Sequence, residues 1–508
     1  MTEEQERGAV NSKSLTRQMA TGVIWMMLLK FAVRGLGLIS TLILVRLLTP
    51  EDFGIVAMAM VFVAIMEVFS WFSFDVVLIH KQSATREHYD TAWTFNLIFK
   101  SVSALVLVAG AYPASLYYGE PKVTLIMLAL ALGVLVSGFE NIGIVNFRKH
   151  LQFDKEFRFM FLRKLSGFCI TVPLAFILQD YRALVIGTVL SRFFSLALSY
   201  SMEPYRPRFS FAARAELFNF SIWLFLSNIF YAFRMRAAEL VIGRLEGATQ
   251  LGVFNVSYEI SNFPTTELVA PINRAVFPGY AKMSGNMETL RKGYLDVIAL
   301  IAMIAVPAGA GIAATAEILV PVALGENWLM ATPLIATLGF YGVVAALQTN
   351  IGSIYLAIGR PQVITALHAL HLAVLLTVSI PMTMRHGVNG AAWSYLGTAL
   401  ALLPLNYVVM FRTISLPIRP FASRLWRPVV STALMYGVVS AVVQWLMLVA
   451  NGDPNILHLL AAVCAGALVY TIGIAAFWLL WGRPDGAERY VLQAIQERLG
   501  KKGATTSE

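Results

Sequence analysis

Apolar runs long enough to cross a bilayer recur along the whole chain, each closed by a short polar break. At about 20 apolar residues per crossing, the pattern predicts helices near residues 19–44, 53–79, 91–111, 123–146, 157–178, 183–202 and 216–241. It predicts seven more near 251–277, 294–318, 332–357, 361–384, 388–411, 426–450 and 456–481, which makes fourteen spans. Pro264, Pro271 and Pro278 kink the eighth span or set its end. Connections between spans reach roughly twenty residues at most, too little for a folded extramembrane domain. The activity therefore resides in the bilayer.

The first run breaks its own pattern. Lys30 and Arg34 stand near its middle, four residues apart and so on one helical face. Each costs roughly 2.5 to 3.5 kcal/mol at the centre of a span. That face is expected to look into a polar cavity rather than at lipid.

Composition agrees with a polytopic all-α membrane protein: 508 residues, 58% hydrophobic and only 13% charged. A net charge of +10 raises the question of nucleic acid, but the basic residues lie in short clusters between apolar runs, with no basic arm. They report topology. With the N-terminus in the cytoplasm, 25 of the 39 Lys and Arg fall on that side and 5 on the other (Arg46, Lys122, Arg182, Arg244 and Arg385). Both termini are expected inside. Residues 1–17 lack the features of a signal peptide, so the first span is expected to direct insertion. Cys169 and Cys464 stand alone in apolar segments and support neither a disulfide framework nor a zinc site.

An offset of 198 residues lays the opening hairpin on the middle of the chain: Ile24 and Trp25 fall on Ile222 and Trp223, and Arg46 to Gly54 on Arg244 to Gly252. In both copies a Gly follows eight residues after the Arg. A duplicated six-span unit is the expectation, as in transporters built from two halves around a central site. The divisions are 1–17 as a cytoplasmic segment, 18–214 as an N-terminal lobe, 215–411 as a C-terminal lobe, 412–482 as two added spans and 483–508 as a cytoplasmic tail.

Intramembrane charges concentrate in the first hairpin of each copy. Spans 1 and 2 hold Lys30, Arg34, Glu67 and Asp75; spans 7 and 8 hold Arg234, Arg236, Glu239, Glu259, Glu267 and Arg274. Spans 3 to 6 add Lys100, Glu140, Arg163, Lys164 and Arg192, several of them expected toward the cytoplasmic edge. Arg234, Arg236 and Arg274 either line a cavity or snorkel. Glu67, Glu259 and Glu267 serve as ion-pair partners or as proton carriers. His368 and His371 share a face of span 11, but with no third ligand they read as packed histidines, not a metal site. The aromatic run Phe69, Trp71, Phe72 and Phe74 reads as an interfacial belt. Gly35, Gly37, Gly309 and Gly311 read as helix-packing positions, since no strand precedes them to make a phosphate loop. No GxxxxGK[ST] loop occurs, so ATP-driven transport is unsupported, and no cofactor is called for.

Three stretches carry a resemblance: Leu15 to Trp25 (LTRQMATGVIW) with Arg46 to Gly54 (RLLTPEDFG), Phe147 to Phe153 (FRKHLQF), and the repeated loop Arg244 to Gly252. They resemble the polysaccharide-transport, Wzx-type flippase branch of the multidrug/oligosaccharidyl-lipid/polysaccharide exporter superfamily. That resemblance implies two six-helix lobes around a central cavity, additional helices after the second, and no enzymatic activity. It implies movement of an undecaprenyl-diphosphate-linked oligosaccharide across the bacterial inner membrane by alternating access, for surface or exopolysaccharide assembly alongside a polymerase and export machinery. Lys30, Arg34, Arg234, Arg236 and Arg274 are the candidate diphosphate contacts, because desolvated Lys and Arg offer charge-assisted hydrogen bonds to phosphate. Asn228, Asn255, Tyr258 and Asn273 are candidates to meet sugar hydroxyls. A multidrug or small-cation antiporter of the same superfamily is the first alternative, disfavoured because its cavity should be acidic. A membrane-embedded polysaccharide-assembly enzyme is the second, without a visible catalytic constellation.

Overall fold

A computed structural model of the protein describes residues 32–69, 78, 84–150, 152–214, 222–450, 453–482 and 488, and every regular element among them is a helix. Helix α1 covers residues 32–47. It is followed by α2 (Pro50–Phe69), α3 (Arg86–Tyr118), α4 (Lys122–Gly138), α5 (Phe153–Leu178) and α6 (Arg182–Met202). Then come α7 (Ile222–Leu245), α8 (Gly247–Ser261), α9 (Ala270–Met283), α10 (Met287–Leu319), α11 (Ala331–Gln348), α12 (Pro361–Ile414), α13 (Ile418–Val449) and α14 (Ile456–Leu480). Eight of the described helices are long and apolar enough to cross a membrane, nine if α4 and the bent segment Ile142–Lys149 make one span.

The order and bounds of these helices are consistent with fourteen spans. The eighth run holds both α8 and α9, because a π-helical turn over Pro264–Val269 separates them. A proline lacks the N–H that would continue the ladder and crowds the preceding turn, so the widened turn opens at Pro264. The 54 residues of α12 hold two runs, broken at Gly387 with φ 60° and ψ −150°. That backbone region is open only to glycine. Lys30, Asp75, the stretch Trp71 to Phe74 and the motif Leu15 to Trp25 lie outside the described residues.

The chain forms two compact units. The first runs to Phe225 and also takes in Gly247–Gly252; the second holds Leu226–Glu246 and everything from Val253 onward. In the first unit α3 packs along α4, α5 along α6, and α4 against α2 and α6. In the second, α10 is the central helix, flanked by α11 and α13, with α14 on the outside of α13. Ala310, Ala314 and Ile318 of α10 meet Met435, Val439, Val443 and Leu446 of α13. Gly309 lies against the backbone of Gly339, as a helix-packing position should. At Gly35 no described atom would lie within 4 Å of an added Cβ, and Gly37 faces the Lys164 side chain.

Within the first unit the repeated loop motif is a helix start and a helix crossing. Thr49 and Asp52 cap α2 reciprocally: the Thr49 N–H and hydroxyl donate to Asp52 Oδ2 (3.0 and 2.6 Å), and the Asp52 N–H donates to Thr49 Oγ1. Asp52 Oδ1 also accepts from the Tyr181 N–H at 2.9 Å, tying the α5–α6 turn to the same carboxylate. A Cβ on Gly54 would stand 1.7 Å from the carbonyl oxygen of Ala248, and one on Gly252 would stand 1.8 Å from that of Pro50. Only glycine allows backbones to pass this closely.

Residues 203–214 form an extended strap along the start of α3. The Tyr205 hydroxyl and the Arg208 N–H both donate to Asp90 Oδ1 (2.7 and 2.8 Å), and the Ser210 N–H donates to Thr94 Oγ1 (3.0 Å). Asn141 donates to the carbonyls of Glu203 and Tyr205. An extended segment has no ladder of its own, so these polar side chains satisfy its backbone.

Candidate functional site

In the first unit the structure gathers charges from five helices or their ends near mid-span. Glu67 of α2 pairs with Arg192 of α6 at 3.4 Å. Glu140, just past the end of α4, pairs with Arg163 of α5 at 3.6 Å and accepts the Ser195 hydroxyl at 2.9 Å. Lys100 of α3 lies within electrostatic reach of all four charges, yet no carboxylate among the described residues sits at ion-pair distance from it. The backbone of Gly138 permits this approach, since a Cβ there would stand 2.9 Å from Lys100 Cβ. Lys164 of α5 reaches α1 at Gly37, where its Nζ would be 3.8 Å from an added Cβ. Gly37 lies one turn after Arg34 and on the same face, so Arg34 of α1 and Lys164 of α5 share that side of α1. Arg34 is half-buried.

This cluster is cationic in balance: two carboxylates stand among Lys100, Arg163 and Arg192, with Lys164 and Arg34 beyond them. Lys100, Arg163 and Arg192 stand toward the middle of their helices. The clue in the sequence was Glu67, which at that depth in span 2 needs a cationic partner.

In the second unit the candidates take different roles. Arg236 donates to Glu239 Oε1 at 2.9 Å, three residues along the same helix, and Glu239 is buried. Arg234 stacks over the ring of Tyr231, 5.3 Å from its centroid. The same ring meets His368 of α12 at 5.5 Å between centroids. His371, one turn on, lies within electrostatic reach of both Arg234 and His368. No carboxylate among the described residues pairs with Arg234, and its Nε is enclosed without an acceptor. Arg274 lies on α9. Glu259 is exposed, and Glu267 stands half-buried on the π turn. Tyr258 belongs to a packed ring cluster with Phe254, Tyr341 and Tyr395. Asn228, Asn255 and Asn273 are half-buried. No group of three or more metal-ligating side chains occurs among the described residues.

Each unit thus holds mid-helix cations with no carboxylate partner among the described residues, Lys100 and Lys164 in one and Arg234 in the other, an arrangement that attracts anions and repels cations. Residues 43–333 match the family described as "Polysaccharide biosynthesis protein". The chain belongs to this family. Members and relatives extend over most of the sequence. The "Lipopolysaccharide biosynthesis protein WzxC" of Escherichia coli (strain K12) is 23% identical over 423 residues, covering 82% of this chain and 85% of that protein. The "Succinoglycan biosynthesis transport protein ExoT" of Rhizobium meliloti (strain 1021) is 24% identical over 468 residues, covering 91% and 93%. Among solved structures, "Lipid II flippase MurJ, inward closed conformation" aligns with a TM-score of 0.69 at 14% identity, over 90% of this chain and 99% of that one. An inward-facing multidrug resistance MATE transporter aligns with a TM-score of 0.56 at 15% identity, over 78% and 98%. This member of the polysaccharide biosynthesis family is therefore a multi-pass membrane protein with the fold shared by those flippases and exporters.

Proposed function

We propose that the protein is a flippase that carries undecaprenyl-diphosphate-linked oligosaccharide repeat units from the cytoplasmic to the outer face of the bacterial inner membrane by alternating access. The observation that carries this reading is the set of mid-span cations without carboxylate partners among the described residues, Lys100 and Lys164 in one unit and Arg234 in the other. An unpaired cation at that depth is costly unless an anion visits it. A prenyl diphosphate is an anion that belongs at membrane depth, and transport relatives of the same family act in polysaccharide assembly. The chain then works as a transporter and not as an enzyme, with both termini in the cytoplasm and a polymerase and export machinery downstream.

In this reading spans 1–6 and 7–12 are the two lobes, and α13 and α14 are the added pair. Lys30, Arg34, Arg234 and Arg274 serve as diphosphate contacts. Arg236 serves the same headgroup while Glu239 fixes its position. Glu67 acts as counter-ion to Arg192, and Glu259 and Glu267 are left as the carboxylates for any proton coupling.

The test is Lys30→Gln with Arg34→Gln. Surface polysaccharide should be lost while lipid-linked repeat units accumulate inside. Normal export by a well-expressed double variant would overturn the assignment of these contacts.

A further inference from the structure

Arg234 stands at the thirteenth position of a 24-residue helix, deep within its span. A guanidinium there needs a counter-charge or a set of acceptors. Arg236, two residues on, takes the nearby Glu239, and no other carboxylate among the described residues reaches Arg234. Arg234 instead lies over the Tyr231 ring, which His368 meets on α12, and within electrostatic reach of His371, Tyr258 and Tyr395. Tyr231 lies one turn before it on α7, and His368 and His371 come from the first half of α12. None of the three supplies a negative charge. Each imidazole carries an N–H donor in either tautomer, and Tyr231 carries a hydroxyl. The group sets donors beside one cation, and Tyr231 within it is 39% exposed.

A tetrahedral phosphate needs donors from several directions at once, and a guanidinium with flanking imidazole and phenol donors meets that need. A metal ion does not fit: the adjacent arginine repels it, and no third ligand is present among the described residues.

We propose that Tyr231, Arg234, His368 and His371 form a phosphate-binding site of the second unit, with the two histidines as direct hydrogen-bond donors to the diphosphate of the lipid-linked substrate. This rests on the flippase reading and adds to it residues outside the first-hairpin cations. The histidines, placed three apart on α12, hold the phosphate from one side and Arg234 of α7 from the other. Substrate recognition in this unit then depends on α7 and α12 together.

The test uses the full-length protein in lipid nanodiscs and four probes: farnesyl diphosphate, farnesyl monophosphate, farnesol and inorganic pyrophosphate. His368→Leu with His371→Leu should weaken farnesyl diphosphate binding at least about ten-fold, the scale of losing a hydrogen bond to a charged group. Farnesol binding should be unchanged. The matching Gln double variant keeps an N–H donor near the same place and should restore most of the affinity. Pyrophosphate binding that falls in parallel places the phosphate itself at the histidines, whereas loss confined to the prenyl compounds would point to a packing effect and overturn the proposal. Unchanged affinity in a Leu variant that melts like the parent would overturn it too; if Arg34→Gln still weakens binding, the flippase reading stands. Failure of the parent protein to bind any prenyl diphosphate would overturn both.

Discussion

Gly54 and Gly252 touch: a Cβ on Gly252 would lie 3.0 Å from the Gly54 backbone nitrogen, at the crossing of α2 with the first turns of α8. The two glycines occupy corresponding places in the repeated motif, and so do Pro50 and Ala248, whose carbonyls they face. The crossing is reciprocal. Gly54→Ala and Gly252→Ala should each destabilise the protein by at least the 1–3 kcal/mol typical of overpacking, because a backbone rather than a movable side chain is in the way. The double variant should lose less than the sum, since the first methyl already parts the helices. Thermal unfolding in detergent, followed by size-exclusion fluorescence, measures this.

The Glu67–Arg192 pair should show the asymmetry of an enclosed ion pair. Its side chains are 38% and 27% exposed, so the penalty for breaking it is smaller than for a dry pair. Arg192→Leu should cost about 1–2 kcal/mol by leaving Glu67 uncompensated. Adding Glu67→Leu should recover most of that loss in the same unfolding assay; a double variant as unstable as the sum would show that the pair contributes nothing.

Tyr205 lies outside the spans, and its hydroxyl is held above the ordinary tyrosine pKa, first by burial and then by its hydrogen bond to Asp90 and that carboxylate's charge. A raised pKa stabilises the attached strap below the unfolded value and is lost as pH rises through the folded one. Protection of residues 203–214 from proteinase K should hold steady at neutral pH and fall only above about pH 10, the ordinary tyrosine value. Tyr205→Phe should cost about 1–2 kcal/mol of strap attachment, since Asp90 keeps its bond from the Arg208 N–H. It should also abolish the alkaline step.

Gly387 is the break that divides α12. At φ 60° and ψ −150° a side chain is strained, and a Cβ would stand 3.3 Å from Glu246 Oε2. Gly387→Ala should cost about 1–3 kcal/mol. Adding Glu246→Ala to it should leave that penalty in place, because the strain is in the backbone; relief by the paired substitution would assign it to the carboxylate instead.

The helices were legible because a bilayer demands a run of about 20 apolar residues and the chain supplies it. The crossing glycines were legible because Gly54 and Gly252 keep one spacing from Arg46 and Arg244. Harder to read were the partners of the charges. Arg192 and Glu67 are 125 residues apart, and only the packing of α2, α4 and α6 brings them together. His368 and His371 were visible as a pair, but the sequence contains no sign that Tyr231 and Arg234 stand beside them. Helix packing determines which faces meet, and small residues such as Gly138 and Gly37, not the charged residues, admit Lys100 and Lys164.

The repeated loop Arg46 to Gly54 caps a helix, anchors the Tyr181 turn and lets two backbones cross. Its spelling is therefore under mechanical constraint: a helix start, a turn anchor and a crossing point each fix a residue, so a substitution at any of the three is felt as a change in the frame.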